Sequence, residues 1–226
     1  MKNVTKMLLA SALLTSTSMA AAEVSFSGNV AITSNYIFRG FSQTDNAPAI
    51  QGGFDMEHSS GLYAGVWASN VDSDFYAGAE AEFDLYAGFG GEFAGGIGYD
   101  IGYLAYRYPD TTFDDNDTEE VYGSLSYDFG PAAATVGLAY SDDFFGVGDA
   151  TYTYVDVDVP LPQDFAIGLH YGTSDFDDSS SDYDDWKVGL SKSYSGFDFA
   201  LDYTDTDVDD DHLADDKIVF TVSKSL

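Results

Sequence analysis

Cysteine is absent from this chain, and basic residues are scarce. Without cysteine there is no disulfide, no thiolate nucleophile and no cysteine-held metal. Lys and Arg number 8 against 39 Asp and Glu, for a formal net charge of −31. Phosphate backbones are gripped by clustered basic side chains, so this balance excludes a nucleic-acid partner. Histidine occurs three times, at 58, 170 and 212. Beyond residue 22 there is no apolar run near the roughly 20 residues that a membrane-spanning helix needs. No useful length of that region has a helical 3.6 period either.

What the chain does have is apolar residues at 45% and aromatics at 16%, which argues against acidic disorder. These residues alternate with polar ones. In the clearest stretch, Ala79, Ala81, Phe83, Leu85, Ala87 and Phe89 share one parity. Glu80, Glu82, Asp84, Tyr86 and Gly88 share the other. A strand sends successive side chains to opposite faces, so one face is apolar and the other carries carboxylates. Twelve such stretches are expected, near 24–38, 48–57, 62–70, 77–89, 94–108, 119–129, 132–141, 150–160, 165–173, 184–194, 197–205 and 216–226. The stretches Leu62–Ala68 and Tyr99–Tyr108 are apolar on both parities, and alternation does not orient them.

The first 22 residues read as a secretory signal. Lys2 and Lys6 precede a short apolar run, Met7–Leu14. Ala20 and Ala22 then fit the small-residue cleavage rule, with cleavage expected after Ala22 and Ala20 the second choice. One domain, residues 23–226, follows.

The connections alternate in kind. Six long ones, near 39–47, 70–76, 109–118, 142–149, 174–185 and 205–216, hold 23 of the 39 acidic residues. The intervening ones are short turns around His58, Gly91, Gly130, Pro160 and Ser195. An even strand count, short turns at one end and long loops at the other is the pattern of an outer-membrane barrel. A soluble β-sandwich is the alternative, and it has no reason to segregate its loops. The expected architecture is therefore all-β: an antiparallel transmembrane barrel of about twelve strands, with short periplasmic turns and long acidic extracellular loops. Aromatics near strand ends, among them Tyr36, Phe38, Tyr106, Tyr108, Phe129, Tyr140, Tyr171, Tyr194 and Phe197, suit interface girdles. Lys224 breaks the apolar parity of the last strand and would have to snorkel.

Ser34–Val71, reading SNYIFRGFSQTDNAPAIQGGFDMEHSSGLYAGVWASNV, resembles the TorF family of outer-membrane porins. Further likeness lies in LAYRYP at Leu104–Pro109, DVDVPLPQDFAIGLHYG at Asp156–Gly172 and WKVGLSKSYSGFDFALDYTDTD at Trp186–Asp207. The resemblance implies a signal-bearing outer-membrane barrel and names no substrate. Members of that family often end in Phe, and Leu226 departs from this.

No catalytic constellation is evident. His58 falls in a turn and His212 in an acidic loop. His170 sits on a polar strand face with no local nucleophile signature, so a lumen-lining role is expected. No cofactor is expected. Asp205, Asp207 and Asp209 have the alternating spacing of a calcium loop. Asp210 stands where that loop needs Gly, and Asp216 where it needs Glu. Loose Ca2+ or Mg2+ bridging to lipopolysaccharide phosphates is the expectation for these acidic loops, set against plain solvation. The pore-lining candidates are Glu80, Glu82, Asp84, Asp128, Asp156, Asp158, Asp198 and Asp202, faced by Arg39, Arg107, Lys187 and Lys217. An acidic majority with a few facing cations sets up a field that favours cations. The expected function is passive, cation-preferring diffusion of small solutes or ions across a bacterial outer membrane, with lipid and lipopolysaccharide as surroundings. A closed structural or adhesion barrel is the rival. Oligomeric state is left open.

Overall fold

A computed structural model describes residues 23–113 and 116–226, so the expected signal segment lies outside the described residues. In chain order the strands are β1 (Val24–Thr33), β2 (Ile37–Phe38), β3 (Phe41–Ser42), β4 (Ala49–His58), β5 (Leu62–Asn70), β6 (Ala81–Glu92) and β7 (Ile97–Arg107). They continue as β8 (Thr118–Asp128), β9 (Ala133–Ser141), β10 (Ala150–Leu161), β11 (Phe165–Phe176), β12 (Tyr183–Tyr194), β13 (Phe197–Thr206) and β14 (Lys217–Ser225). All but β2 and β3 join one antiparallel sheet in chain order, and β14 pairs back onto β1. The sheet is a closed barrel of twelve strands, not a two-sheet sandwich. Closure leaves no unpaired edge. The twelve expected stretches are these twelve strands, the main difference being the first, which ends at Thr33 instead of running to 38.

The alternation decides which way each strand faces. Phe54, Val66, Leu85 and Ala105 follow one another across β4 to β7 in register, on the outside. One residue on, Trp67, Asp84 and Tyr106 follow one another on the inside. Large apolar side chains point out: Phe26 is 78% exposed and Ile218 70%. Carboxylates point in, and Glu82 is 1% exposed. Apolar surface outside and charge inside is the reverse of a soluble protein's distribution. At one end the turns are tight. Ser195 and Gly196, both with positive φ, make a two-residue hairpin turn between β12 and β13, the turn whose twist suits adjacent strands. On the outer face the Lys224 ammonium lies 4.9 Å from the Phe197 ring centre, so the cation that breaks the apolar parity rests on an aromatic face.

The buried apolar cluster sits at the mouth with the long loops. Tyr36, Ala49, Val71, Tyr76, Ala79, Tyr106 and Tyr108 form it, with Phe38, Trp67, Leu104 and Phe145 packed against them. Tyr36, Phe38, Tyr106 and Tyr108 are therefore interior, not girdle residues. Phe129, Tyr140, Tyr171, Tyr194 and Phe197 are exposed.

Candidate functional site at the plugged barrel mouth

The connection from β1 to β4, residues 34–48, carries the β2–β3 hairpin and folds onto the inner wall. Its polar side chains bond the segment to itself. Asn35 Oδ1 accepts from the Ser42 hydroxyl at 2.7 Å and from the Thr44 hydroxyl at 3.2 Å. Thr44 also donates to the Ala47 carbonyl at 2.6 Å. At the hairpin tip Arg39 and Gly40 both have positive φ, +47° and +85°. A Cβ on Gly40 would strike the Thr206 side chain, so the tip needs glycine both for its backbone and for its fit.

The tip places Arg39 on the wall. Its Nη2 donates to both carboxylate oxygens of Glu120 on β8, at 2.7 and 2.9 Å. Tyr106 donates to the same carboxylate at 2.9 Å. The guanidinium lies over the rings of Tyr152 at 4.2 Å and Phe38 at 4.7 Å. Burial pulls the Arg39 pKa down, but Glu120 and the nearby hydroxyls more than offset this and raise it, so Arg39 stays charged. Beside it, Glu82 accepts from Tyr36 at 2.8 Å and from Tyr108 at 2.7 Å. Burial, with Glu82 close by, pushes both of these loop hydroxyls well above their ordinary value, so they remain donors. Tyr76 stacks on Tyr108 with centroids 4.2 Å apart and donates to Gln43 of the plug. Asp84 is 4% exposed, and its Oδ1 has no hydrogen-bond partner. Of these three buried carboxylates, Glu120 is the one that holds the guanidinium.

A second network lies on the far wall. His170 on β11 has Nδ1 2.7 Å from Asp156 Oδ1 and Nε2 3.1 Å from Asp185 Oδ1. Tyr152, the ring beneath Arg39, is 2.7 Å from His170 Nε2 and donates to Asp185 Oδ2 at 3.0 Å. Plug and wall are linked through this tyrosine. Among the described residues, the side chains bonded to His170 are Tyr152, Asp156 and Asp185.

The other candidates spread out. Asp198, which accepts from Ser193, and Asp202 are half-buried on the inner face of β13. Lys187 faces inward opposite His170 and Thr204. Asp158 is half-buried on the inner face of β10, and Asp128 is exposed at the short-turn end of β8, where it accepts from Gly130 N. Glu80 is exposed just before β6 begins. Lys217, at the long-loop end of β14, donates to the Asp215 carbonyl at 2.6 Å. Arg107 stands apart: it pairs in register with outward Phe83 and forms ion pairs with Glu119 and Asp117 on the outer side. It shares the parity of Ile101 and Tyr103, which the structure exposes on the outside; alternation in the sequence alone does not orient this stretch. Inward carboxylates that were not singled out as lumen residues include Asp55, Asp100, Glu120 and Asp185. Glu120 shares parity with Tyr122 and Ser124, which is the signal that finds it.

The acidic loop residues do not converge. Asp205 lies on the outer side opposite Trp186, Asp207 accepts from Asp184 N at 2.8 Å, and Asp209 and Asp216 are exposed. Among the described residues, no three His, Asp or Glu side chains are grouped to hold a metal ion.

Solved structures share the fold. The NanC porin superposes with a TM-score of 0.56 at 8% identity, over 88% of this chain and 98% of that one. OmpF of Salmonella typhi, in complex with daunomycin, gives 0.51 at 9% identity over 91% of this chain and 98% of that one. At such identities the likeness shows the fold alone. Among curated proteins, none matches the chain. The TorF resemblance rests on the sequence segments quoted above. Residues 17–226 match the family described as "Bacterial protein of unknown function (Gcw_chp)", and the chain belongs to that family.

Proposed function

We propose that this chain is an outer-membrane porin that passes small solutes by diffusion and prefers cations. The observation that carries the reading is the inverted distribution of polarity: apolar side chains exposed around the outside, carboxylates on the inner wall. An apolar band suits lipid, and a polar interior suits water. The TorF resemblance and the signal-like residues 1–22 support the same reading. So do the porin neighbours, as far as fold goes.

The cation preference is supported by the inner charges. Glu82, Asp84, Glu120, Asp156, Asp185 and Asp202 outnumber Arg39 and Lys187 on the wall and plug. Fixed charge between low-dielectric walls concentrates the opposite ion. The acidic loops, Asp205 to Asp216 included, would add loose Ca2+ or Mg2+ association at lipopolysaccharide. The test is conductance of the refolded chain in planar bilayers, with the reversal potential measured in a KCl gradient. A cation-selective current is expected.

One observation favours a second reading. The plug buries Arg39 on Glu120 and fills the mouth with side chains. A closed structural barrel would show no current in the same experiment.

A further inference from the structure

Four tyrosines lie on the inner wall below the plug: Tyr63 on β5, Tyr86 on β6, Tyr122 on β8 and Tyr154 on β10. Each stands directly opposite a glycine of a neighbouring strand, namely Gly88, Gly65, Gly102 and Gly137. A Cβ on any of these glycines would collide with the tyrosine ring. Each ring therefore occupies the side-chain space of the facing glycine and lies along the wall. Each ring covers glycine backbone and, being half-buried on the inner face, keeps part of its surface open on the lumen side. All four tyrosines are half-buried, not sealed like Tyr36 or Tyr106.

Carboxylates sit at the ring edges. The Tyr63 and Tyr122 hydroxyls are 2.5 Å apart, and Tyr63 donates to Asp100 Oδ1 at 2.8 Å. Tyr86 donates to Asp55. Asp55 and Asp100 are half-buried, and among the described residues neither forms an ion pair. Aromatic faces carry negative potential and attract cations. The wall thus offers flat aromatic faces beside two carboxylates without a basic partner.

We infer that these four tyrosines, with Asp55 and Asp100, form a binding site for small organic ammonium ions. The ring faces take the charged nitrogen and its carbon substituents, and the carboxylates supply the opposite charge. A hard inorganic ion keeps its water and gains little from the rings. A neutral sugar gains nothing from the charge. The site deepens the porin reading by naming a solute class, and it rests on that reading for access through the lumen.

The test uses the refolded full chain in planar bilayers, with choline as the probe and sucrose as the neutral control. Choline reduces the potassium current in a concentration-dependent way, and sucrose at equal concentration does not. The Tyr63→Leu/Tyr122→Leu variant raises the blocking concentration by about fivefold or more, whereas Tyr63→Phe/Tyr122→Phe, which keeps the rings, stays within about twofold. If the Leu variant does not fold, Asp100→Asn is read in its place, with weaker block expected. Choline without effect, equal block in the Leu variant, or block by sucrose alone would overturn the site. Absence of any potassium current defeats the porin reading instead. Calorimetric titration of choline into the detergent-refolded protein then decides the site: binding heat lost in the Leu variant supports it, and no heat overturns it.

Discussion

Arg39 and Glu120 are 81 residues apart in sequence and 2.7 Å apart at the barrel mouth, both buried. One comes from the plug and one from the wall. A second plug contact, Tyr36 to the buried Glu82 at 2.8 Å, is neutral on the plug side, so Arg39 carries the charge of the plug-to-wall contact. The pair fixes where the plug sits.

Arg39→Gln is expected to release the plug. Removing one partner of a buried pair leaves the other charge uncompensated, at a cost of about 3–5 kcal/mol if nothing moves. Moving residues 34–48 out of the mouth and rehydrating Glu120 is the cheaper response. The chain has no cysteine, so Ser42→Cys gives a single reporter at a position now 1% exposed. Its reaction with a membrane-impermeant maleimide should be slow alone and fast with Arg39→Gln. Equal rates mean that the plug is held by something other than this pair.

Phe83→Asp should lower folding yield in lipid, and Asp84→Asn should not. Phe83 points outward near the long-loop end of β6, opposite Arg107, so an Asp there loses the ring's apolar contact at a cost below the roughly 2 kcal/mol of a charge at mid-bilayer. Asp84 points inward, and the amide gives its partnerless Oδ1 position a neutral group. A wet lumen at Asp84 would also accept Phe. In the structure that position is packed between Trp67 and Tyr106 in register, so Asp84→Phe overfills it. Heat-modifiability on gels reads all three variants. Equal yields for Phe83→Asp and Asp84→Asn would contradict the assigned faces.

The strands were legible because a period of two is a local signal that closure does not alter. The plug was not. Its segment mixes Tyr, Ile, Phe and Arg with short polar residues, and its fold depends on partners as distant as Glu120. The same plug explains why two stretches resisted orientation. Under it, the upper inner wall is a protein core, so Trp67, Leu104 and Tyr106 are apolar on the parity that elsewhere carries carboxylates. The direction of Arg107 was not legible, because its stretch is apolar on both parities and its outer-side partners Glu119 and Asp117 come from the next strand and the loop before it.

Gly88→Ala should destabilise the barrel by crowding, mainly against Tyr63, since Gly88 itself has no positive φ. The added methyl meets the tyrosine ring and the Ile101 carbonyl. Overpacking of this kind costs about 1–3 kcal/mol. In a Tyr63→Leu background the same change should cost less, giving a coupling of about 1 kcal/mol by double-mutant cycle. Urea unfolding in detergent provides the four stabilities. An additive cycle would mean that the ring does not depend on the glycine.

Selectivity separates the inner carboxylates by position. Glu80 is exposed outside β6, so Glu80→Gln alone should shift the reversal potential little, because solvent and salt screen it. Glu82 and Asp84 lie one pleat repeat apart on the inner face, about 6–7 Å along the strand. Both are buried under the plug, so on the porin reading they act on the lumen through their field, not by touching the solute. Asp198 and Asp202 are half-buried on the inner face of β13, away from the plug, and on the porin reading they act directly. The triple variant Glu80→Gln/Glu82→Gln/Asp84→Asn and the double variant Asp198→Asn/Asp202→Asn should each move selectivity toward neutral. The size of both shifts should fall as salt is raised toward 1 M, where the screening length drops to about 3 Å. An unchanged reversal potential in a conducting triple variant would leave the direct pair in control of permeation. No change in either variant would remove the inner carboxylates from the selectivity mechanism altogether.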